Sequence, residues 1–132
     1  MVHLSAPELS LERAFRFSQK VMMTPDEFRQ IALGFPGAVE SALKSHPDFR
    51  LNGKVFATLG YPDDRWAMVR LTPEQQRTFT RRAPDVFGVC RGTSGKRGAT
   101  NVHLESAKTP ILNHALASAF GNIGGLPAEE NS

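Results

Sequence analysis

The sequence has a single cysteine and no long hydrophobic run. Cys90 cannot form an internal disulfide, and the four histidines lack the close spacing of metal ligands. Apolar runs such as 55–59 fall far short of the roughly 18 residues that cross a bilayer. The first residues also lack the uninterrupted apolar stretch of a secretory signal. We therefore expect a cytoplasmic chain without a metal, cofactor or membrane span.

Length and composition indicate one folded domain. A chain of 132 residues can bury roughly two thirds of the surface that its unfolded form exposes. Hydrophobic residues make up 40% and charged residues 22%, unlike a disordered chain. The net charge of +3 permits binding to a polyanion without requiring it. Whether the chain binds a polyanion therefore depends more on where the cations lie than on the net charge.

The first strong structural signal is a helix start at Thr24. The Thr hydroxyl and the Glu27 carboxylate have the spacing of a capping box, with Pro25 at the first helical position. Apolar residues follow at helical spacing until Pro36 and Gly37 end the run. We predict one domain over residues 23–125, preceded by an extension (1–22) that is a short helix or disordered, and followed by a flexible tail (126–132).

Strand patterns follow the first helix. Asn52 and Gly53 predict a type I′ hairpin turn, because both positions of such a turn need positive φ. In 66–71, Trp66, Met68 and Arg70 alternate with aliphatic residues, so the aliphatic face is the candidate for the core.

A second capping box at Thr72 opens a polar helix that ends before Pro84. Residues 86–90 and 100–104 predict two further strands, with an exposed loop over 92–98 between them, and a third helix begins at Thr109. The order is helix, three strands, helix, two strands, helix. Strands joined by short turns pair antiparallel, so we predict a two-layer α+β fold with helices on one face of the sheet.

The loop 92–98 combines glycines with two cations and has no acidic residue. It is not a Walker A loop, because Cys90 stands where a glycine is required and Arg97 where a Ser or Thr would hold magnesium. Two interpretations stay open: contact with a phosphate, or a soluble turn between strands. Further cations lie between and around the strands: Lys44, Arg50, Lys54, Arg65, Arg70 and Arg91. They form either two basic wings or the solvated face of a sheet.

Two other side chains have competing interpretations. Cys90, with Arg91 beside it, is either a nucleophile with a lowered pKa or a small buried hydrophobe. No orienting residue accompanies it, so we predict no catalytic site and no enzyme activity. Trp66 either stacks on a base or packs against the sheet.

A set of residues along 23–125 resembles the MmcQ/YjbR family of small bacterial proteins. The matching positions are Thr24, Pro25, Glu27, Phe28, Phe35, Pro36, Gly37, His46, Pro47, Phe49, Arg50, Gly53, Lys54, Phe56, Ala57, Leu71, Pro73, Glu74, Gln75, Gly98, Thr100, Val102 and Leu104. The resemblance implies an antiparallel-sheet α+β fold similar to that of secretion chaperones, and a DNA-binding role described as a double-wing motif. Ser94 and Ala99 replace the tryptophans that are common in the family around the glycine loop.

The leading hypothesis is therefore a non-enzymatic DNA-binding protein. Its phosphate contacts are assigned to the cations nearest the two glycine-containing turns, namely Arg50, Lys54, Arg91, Lys96 and Arg97. The alternative is a protein-interaction or homodimerisation module, which an exposed apolar patch around Trp66, Met68 or Phe56 would favour. A small-molecule binder is the third hypothesis and requires a pocket with convergent polar groups.

Overall fold

The computed structural model describes residues 23–41, 46–60 and 63–125, which form an antiparallel sheet with helices packed on one face. The predicted N-terminal extension and C-terminal tail lie outside the described residues. The α+β class and the two-layer arrangement are confirmed. Within the described ranges, no helix has the length and apolar character that crossing a membrane would need.

Four helices and six strands make up the described part of the chain. In chain order they are α1 (Pro25–Leu33), β1 (Val39–Ser41), β2 (Asp48–Leu51), β3 (Lys54–Leu59), β4 (Trp66–Arg70), α2 (Pro73–Arg82), β5 (Phe87–Val89), α3 (Gly92–Lys96), β6 (Ala99–His103), a 3-10 turn (Leu104–Ser106) and α4 (Thr109–Asn122). The sheet order is β1-β2-β3-β4-β6-β5, and neighbouring strands are antiparallel. The structure contains two elements that the sequence did not predict, strand β1 and helix α3.

Both predicted capping boxes form at the helix starts. The Thr24 amide donates to Glu27 Oε1 over 3.0 Å, and the Glu27 amide donates to Thr24 Oγ1 over 3.1 Å. Thr72 and Gln75 make the same reciprocal pair at 2.9 and 3.1 Å. Each box satisfies two amides that would otherwise lack a partner, and losing such a cap costs about 1 kcal/mol.

The hairpin between β2 and β3 turns at the predicted pair. Asn52 has φ 52° and Gly53 has φ 82°, as a type I′ turn requires. The register shifts between Phe49 and Arg50, leaving Phe56 without a partner in β2. This bulge lets Phe56 and the next residue both be buried, and the Phe56 ring packs 5.2 Å from that of Phe120.

The core lies between the helices and the predicted aliphatic face of the sheet. Ala67 and Val69 of β4 are fully buried, while Trp66, Met68 and Arg70 lie on the other face, as expected from the alternation. Helix α4 covers this core with five buried apolar residues, which are Leu112, Ala115, Leu116, Ala119 and Phe120.

The segment 92–98 is predicted to be an exposed loop; its exposure is confirmed at five of its seven positions, but the loop conformation is wrong. It begins with helix α3, and Gly95 and Gly98 are buried. A Cβ at Gly95 would overlap the Cys90 carbonyl, and one at Gly98 would overlap the Leu71 carbonyl. Gln76 fastens the segment, since its Nε2 donates to the Gly95 oxygen over 3.0 Å and to the Ala99 oxygen over 2.9 Å. Close backbone packing therefore explains these two glycines.

Candidate functional site

The face of the sheet opposite α1, α2 and α4 carries a concave groove of about 910 Å³, which α3 borders at one end. We call it the outer groove. Its lining includes strand residues and Arg91, which precedes α3; among the lining side chains are Arg50, Trp66, Met68, Arg70, Arg91 and Asn101. Its volume falls within the range of small-ligand sites, and its lining combines three arginines with one carboxylate, one amide and the rings of Trp66 and His46.

Strand register divides the outer groove into two ends. Arg70 pairs with Ala99 at one end, which we call the arginine end. Trp66 pairs with His103 at the other, which we call the aromatic end. Met68 lies between them and pairs with Thr58 on one side and Asn101 on the other. The groove is therefore polarised along β4.

The five cations assigned from the sequence lie at the arginine end of the sheet. Arg50 and Arg91 line the groove. Lys54 follows the β2–β3 turn, and Lys96 and Arg97 close α3 just before β6 begins; these three side chains are exposed and lie outside the lining. Because β4 and its neighbours separate the two turns, their centres are about 14 Å apart, three strand spacings. The further cation Lys44 lies outside the described residues.

Arg70 also lines the groove, although it is not among the five cations predicted to contact phosphates. The alternation in β4 already placed it on the outer face. What the sequence did not reveal is its neighbour across the strand pair, Ala99, whose small side chain leaves space beside it. Ser94 of α3 also lines the groove here. Ser94 and Ala99 are both small residues, which leaves the arginine end of the groove open.

Charge pairing differs among the lining arginines. Asp48 accepts from Arg50 Nη2 over 3.1 Å and from Thr58 Oγ1 over 2.9 Å. Among the described residues, Arg70 and Arg91 have no carboxylate in ion-pair range. In the same part of the chain, the buried Arg50 Nε finds no hydrogen-bond acceptor. A buried donor without a partner costs about 1–3 kcal/mol, so the hydrogen-bonding capacity of Arg50 is not fully satisfied within the described residues.

The thiol of Cys90 lies in the groove and donates to Asn101 Oδ1 over 3.1 Å. Burial raises the pKa of this thiol, with the charge of Arg70 acting in the opposite direction. The thiol is therefore protonated at neutral pH, which does not fit the activated nucleophile considered from the sequence. Within the described ranges, no three His, Cys, Asp or Glu side chains converge as metal ligands.

The aromatic end is held by two neighbouring contacts. The Trp66 and His103 rings lie 4.7 Å apart between centroids, tilted by 42°. His103 Nδ1 and Ser106 Oγ are hydrogen-bonded at 3.0 Å, which fixes the imidazole. In the turn before Trp66, the Arg65 amide donates to Asp63 Oδ1 over 2.9 Å and lowers the pKa of that carboxyl. Arg65 Nε also pairs with this carboxylate at 3.6 Å, so the charge of Asp63 is partly neutralised beside the aromatic end.

The fold and its groove define a class: a small α+β domain with helices on one sheet face and an open, arginine-lined opposite face. A solved structure of similar fold is the crystal structure of the Deinococcus radiodurans protein DR2400, with a DUF419 domain. The TM-score is 0.65 and the identity 15%, over 77% of this chain and 79% of that one. DUF419 is a YjbR/MmcQ-like family. No family model and no curated protein matches the sequence, so the likeness shows the fold alone.

Proposed function

We propose that this chain is a YjbR-like nucleic-acid-binding protein whose outer groove contacts phosphates through Arg50, Arg70 and Arg91. The observation that carries the proposal is the meeting of these three side chains, from separate segments of the chain, in one groove. Two of them lack a carboxylate partner among the described residues. Unneutralised cations in a cleft attract a polyanion, because each phosphate contact releases condensed counterions.

Cations outside the groove support the same proposal. Lys54, Lys96 and Arg97 are exposed at the arginine end and add to its positive field. They would act at longer range, by raising the rate of encounter with a negatively charged strand. Arg50 would bind phosphate least tightly at first encounter, since Asp48 already pairs with it.

A protein-interaction surface has weaker support. The exposed large apolar side chains of the described residues are Leu33, Val39 and Val89. Val39 lies on β1 and Val89 on β5, the opposite edges of the sheet. Phe56, which would have marked an apolar patch, is fully buried. The exposed apolar residues of the two edge strands therefore do not form one patch of the kind that docks a partner.

The proposal is tested by measuring DNA binding across a range of salt concentrations, with single- and double-stranded oligonucleotides. We expect affinity to fall linearly with salt on logarithmic axes, by about 0.7–0.9 per phosphate contact. Arg70→Gln should make the slope shallower by about 1. The matched control is Arg82→Gln, which removes an exposed arginine at the end of α2, outside the groove. No salt-sensitive binding to either form of DNA, or equal losses in both variants, would refute the proposal.

A further inference from the structure

We infer that the nucleic acid bound in the outer groove is an unpaired single strand, with a base stacked on Trp66 and its phosphates at the arginine end. This inference rests on the proposed function and names its substrate class. It follows from the separation of two kinds of chemistry, an aromatic ring and unpaired guanidinium groups, at opposite ends of the groove.

The distance between the two ends of the groove is long enough for a nucleotide and its neighbours in a strand. Trp66 and Arg70 are the first and last residues of β4 and lie on the same face. Four steps along a strand span about 13 Å. A strand lying along β4 can therefore place a base at one end and the phosphates of neighbouring nucleotides at the other.

The ring at the aromatic end is held in place before a ligand arrives. Trp66 is half-buried and packs against His103, whose ring is in turn fixed by Ser106. A fixed ring loses little conformational entropy when a base stacks on it. Stacking of a base on an aromatic side chain is tolerant of sequence, because every base has a π face.

The distribution of charge along the groove determines which end receives the phosphates and which end receives the base. The arginine end holds Arg70 and Arg91 without carboxylate partners among the described residues. Asp63 and Asp64 are exposed in the turn that leads into the aromatic end, and Arg65 Nε pairs with Asp63 Oδ1 at 3.6 Å, so this turn keeps a net charge of one carboxylate. Phosphates are attracted to the unpaired arginines of the first end, whereas the arginine at the second end, Arg65, already has a carboxylate partner, so the base rather than the backbone approaches Trp66.

Between the two ends, Asn101 supplies a polar group. Its Oδ1 accepts from Cys90, and its amide nitrogen has no hydrogen-bond partner within the described ranges. The amide can donate to a base or sugar oxygen without breaking a contact of the free protein.

A duplex cannot use this arrangement in the same way. Its bases are stacked on one another, and only their edges are accessible in the grooves. An aromatic side chain reaches a base face only where the strand is unpaired. A duplex would therefore meet the arginines but leave Trp66 uncovered.

The test uses the intrinsic fluorescence of Trp66, the only tryptophan of the chain. The protein is titrated with a short single-stranded DNA of mixed sequence, with the same strand annealed to its complement, and with a mononucleotide. Labelled-DNA anisotropy gives the affinities. We expect the single strand to quench the fluorescence and to bind about tenfold more tightly than the duplex.

Variants then separate stacking from charge. Trp66→Ala should weaken single-strand binding by about tenfold and leave duplex binding unchanged, while Trp66→Phe should retain most of the affinity. The control is Val39→Ala, which truncates an exposed strand residue outside the groove. If Trp66→Ala does not fold, Trp66→Phe and the quenching experiment still decide the question.

Each outcome has a distinct meaning. Equal salt-sensitive affinity for single strand and duplex, without quenching, would overturn this inference and leave the proposed function standing. Absence of binding to either DNA would overturn both. A mononucleotide that binds as tightly as the oligonucleotide would also overturn the inference, because the site would then be for a small molecule.

Discussion

The amide of Leu71 donates to the carbonyl oxygen of Gly98 over 3.1 Å, and the two backbones are so close that no side chain fits at position 98. Gly98 has φ +115°, a conformation that L-residues rarely adopt. The contact joins the end of β4 to the start of β6. It thereby sets the distance between Arg70 and Ala99 at the arginine end.

Replacing Gly98 should therefore destabilise the fold. Gly98→Ala combines backbone strain with an overlap on the Leu71 carbonyl, and we expect a loss of about 2 kcal/mol or more in the free energy of unfolding. Urea denaturation measures this loss. The control is Gly88→Ala in β5, where an added Cβ meets no atom within 4 Å, and we expect a change within about 0.5 kcal/mol. Similar losses in the two variants would contradict the assignment.

Removing the carboxylate of Asp48 should strengthen DNA binding. Asp48→Asn releases Arg50 from its ion pair but keeps an oxygen that accepts from Thr58. We expect tighter binding to single-stranded DNA at low salt and a salt dependence steeper by about 1, as one added phosphate contact produces. Anisotropy titrations measure both quantities. Asp85→Asn, an exposed carboxylate outside the groove, should have little effect. Unchanged binding by Asp48→Asn would show that Arg50 does not reach a phosphate.

The reactivity of Cys90 should depend on pH in a defined direction. Because burial raises the thiol pKa above its ordinary value, the thiolate is scarce at neutral pH, and alkylation by iodoacetamide should be slow there and rise at a higher pH than for an exposed cysteine. Arg70→Gln should move the inflection still higher, since the arginine charge favours the thiolate. Mass spectrometry gives the rates, and the single cysteine makes their assignment unambiguous. An inflection at or below that of an exposed cysteine in a short peptide would contradict this prediction.

Several features of the fold could be predicted from local patterns alone. The capping boxes at Thr24 and Thr72 depend on residues three positions apart, and the turn at Asn52 depends on two neighbouring residues. The burial of Ala67 and Val69 follows from strand alternation. In each case the interacting groups are close in the chain, so their spacing specifies the contact.

The segment containing α3 could not be predicted in this way. Glycines with adjacent cations are typical of an exposed turn, but here Gly95 is buried against the Cys90 carbonyl and fastened by Gln76, nineteen residues away in sequence. No spacing rule links a glutamine in one helix to the carbonyl of another. The helix exists because that amide and the close backbone contacts stabilise it.

The candidate site was likewise predictable only in part from the sequence. The sequence by itself determined that β4 presents Trp66 and Arg70 on one face, because side chains alternate along a strand, and that the chain carries a surplus of cations. Only the tertiary structure decided which of them meet. By inserting β4 between β3 and β6, the sheet brings Arg50, Arg70 and Arg91 into one groove and sets Ala99 beside Arg70. Strand order is a non-local property, stabilised by core burial across the whole sheet, and so short-range patterns do not encode it.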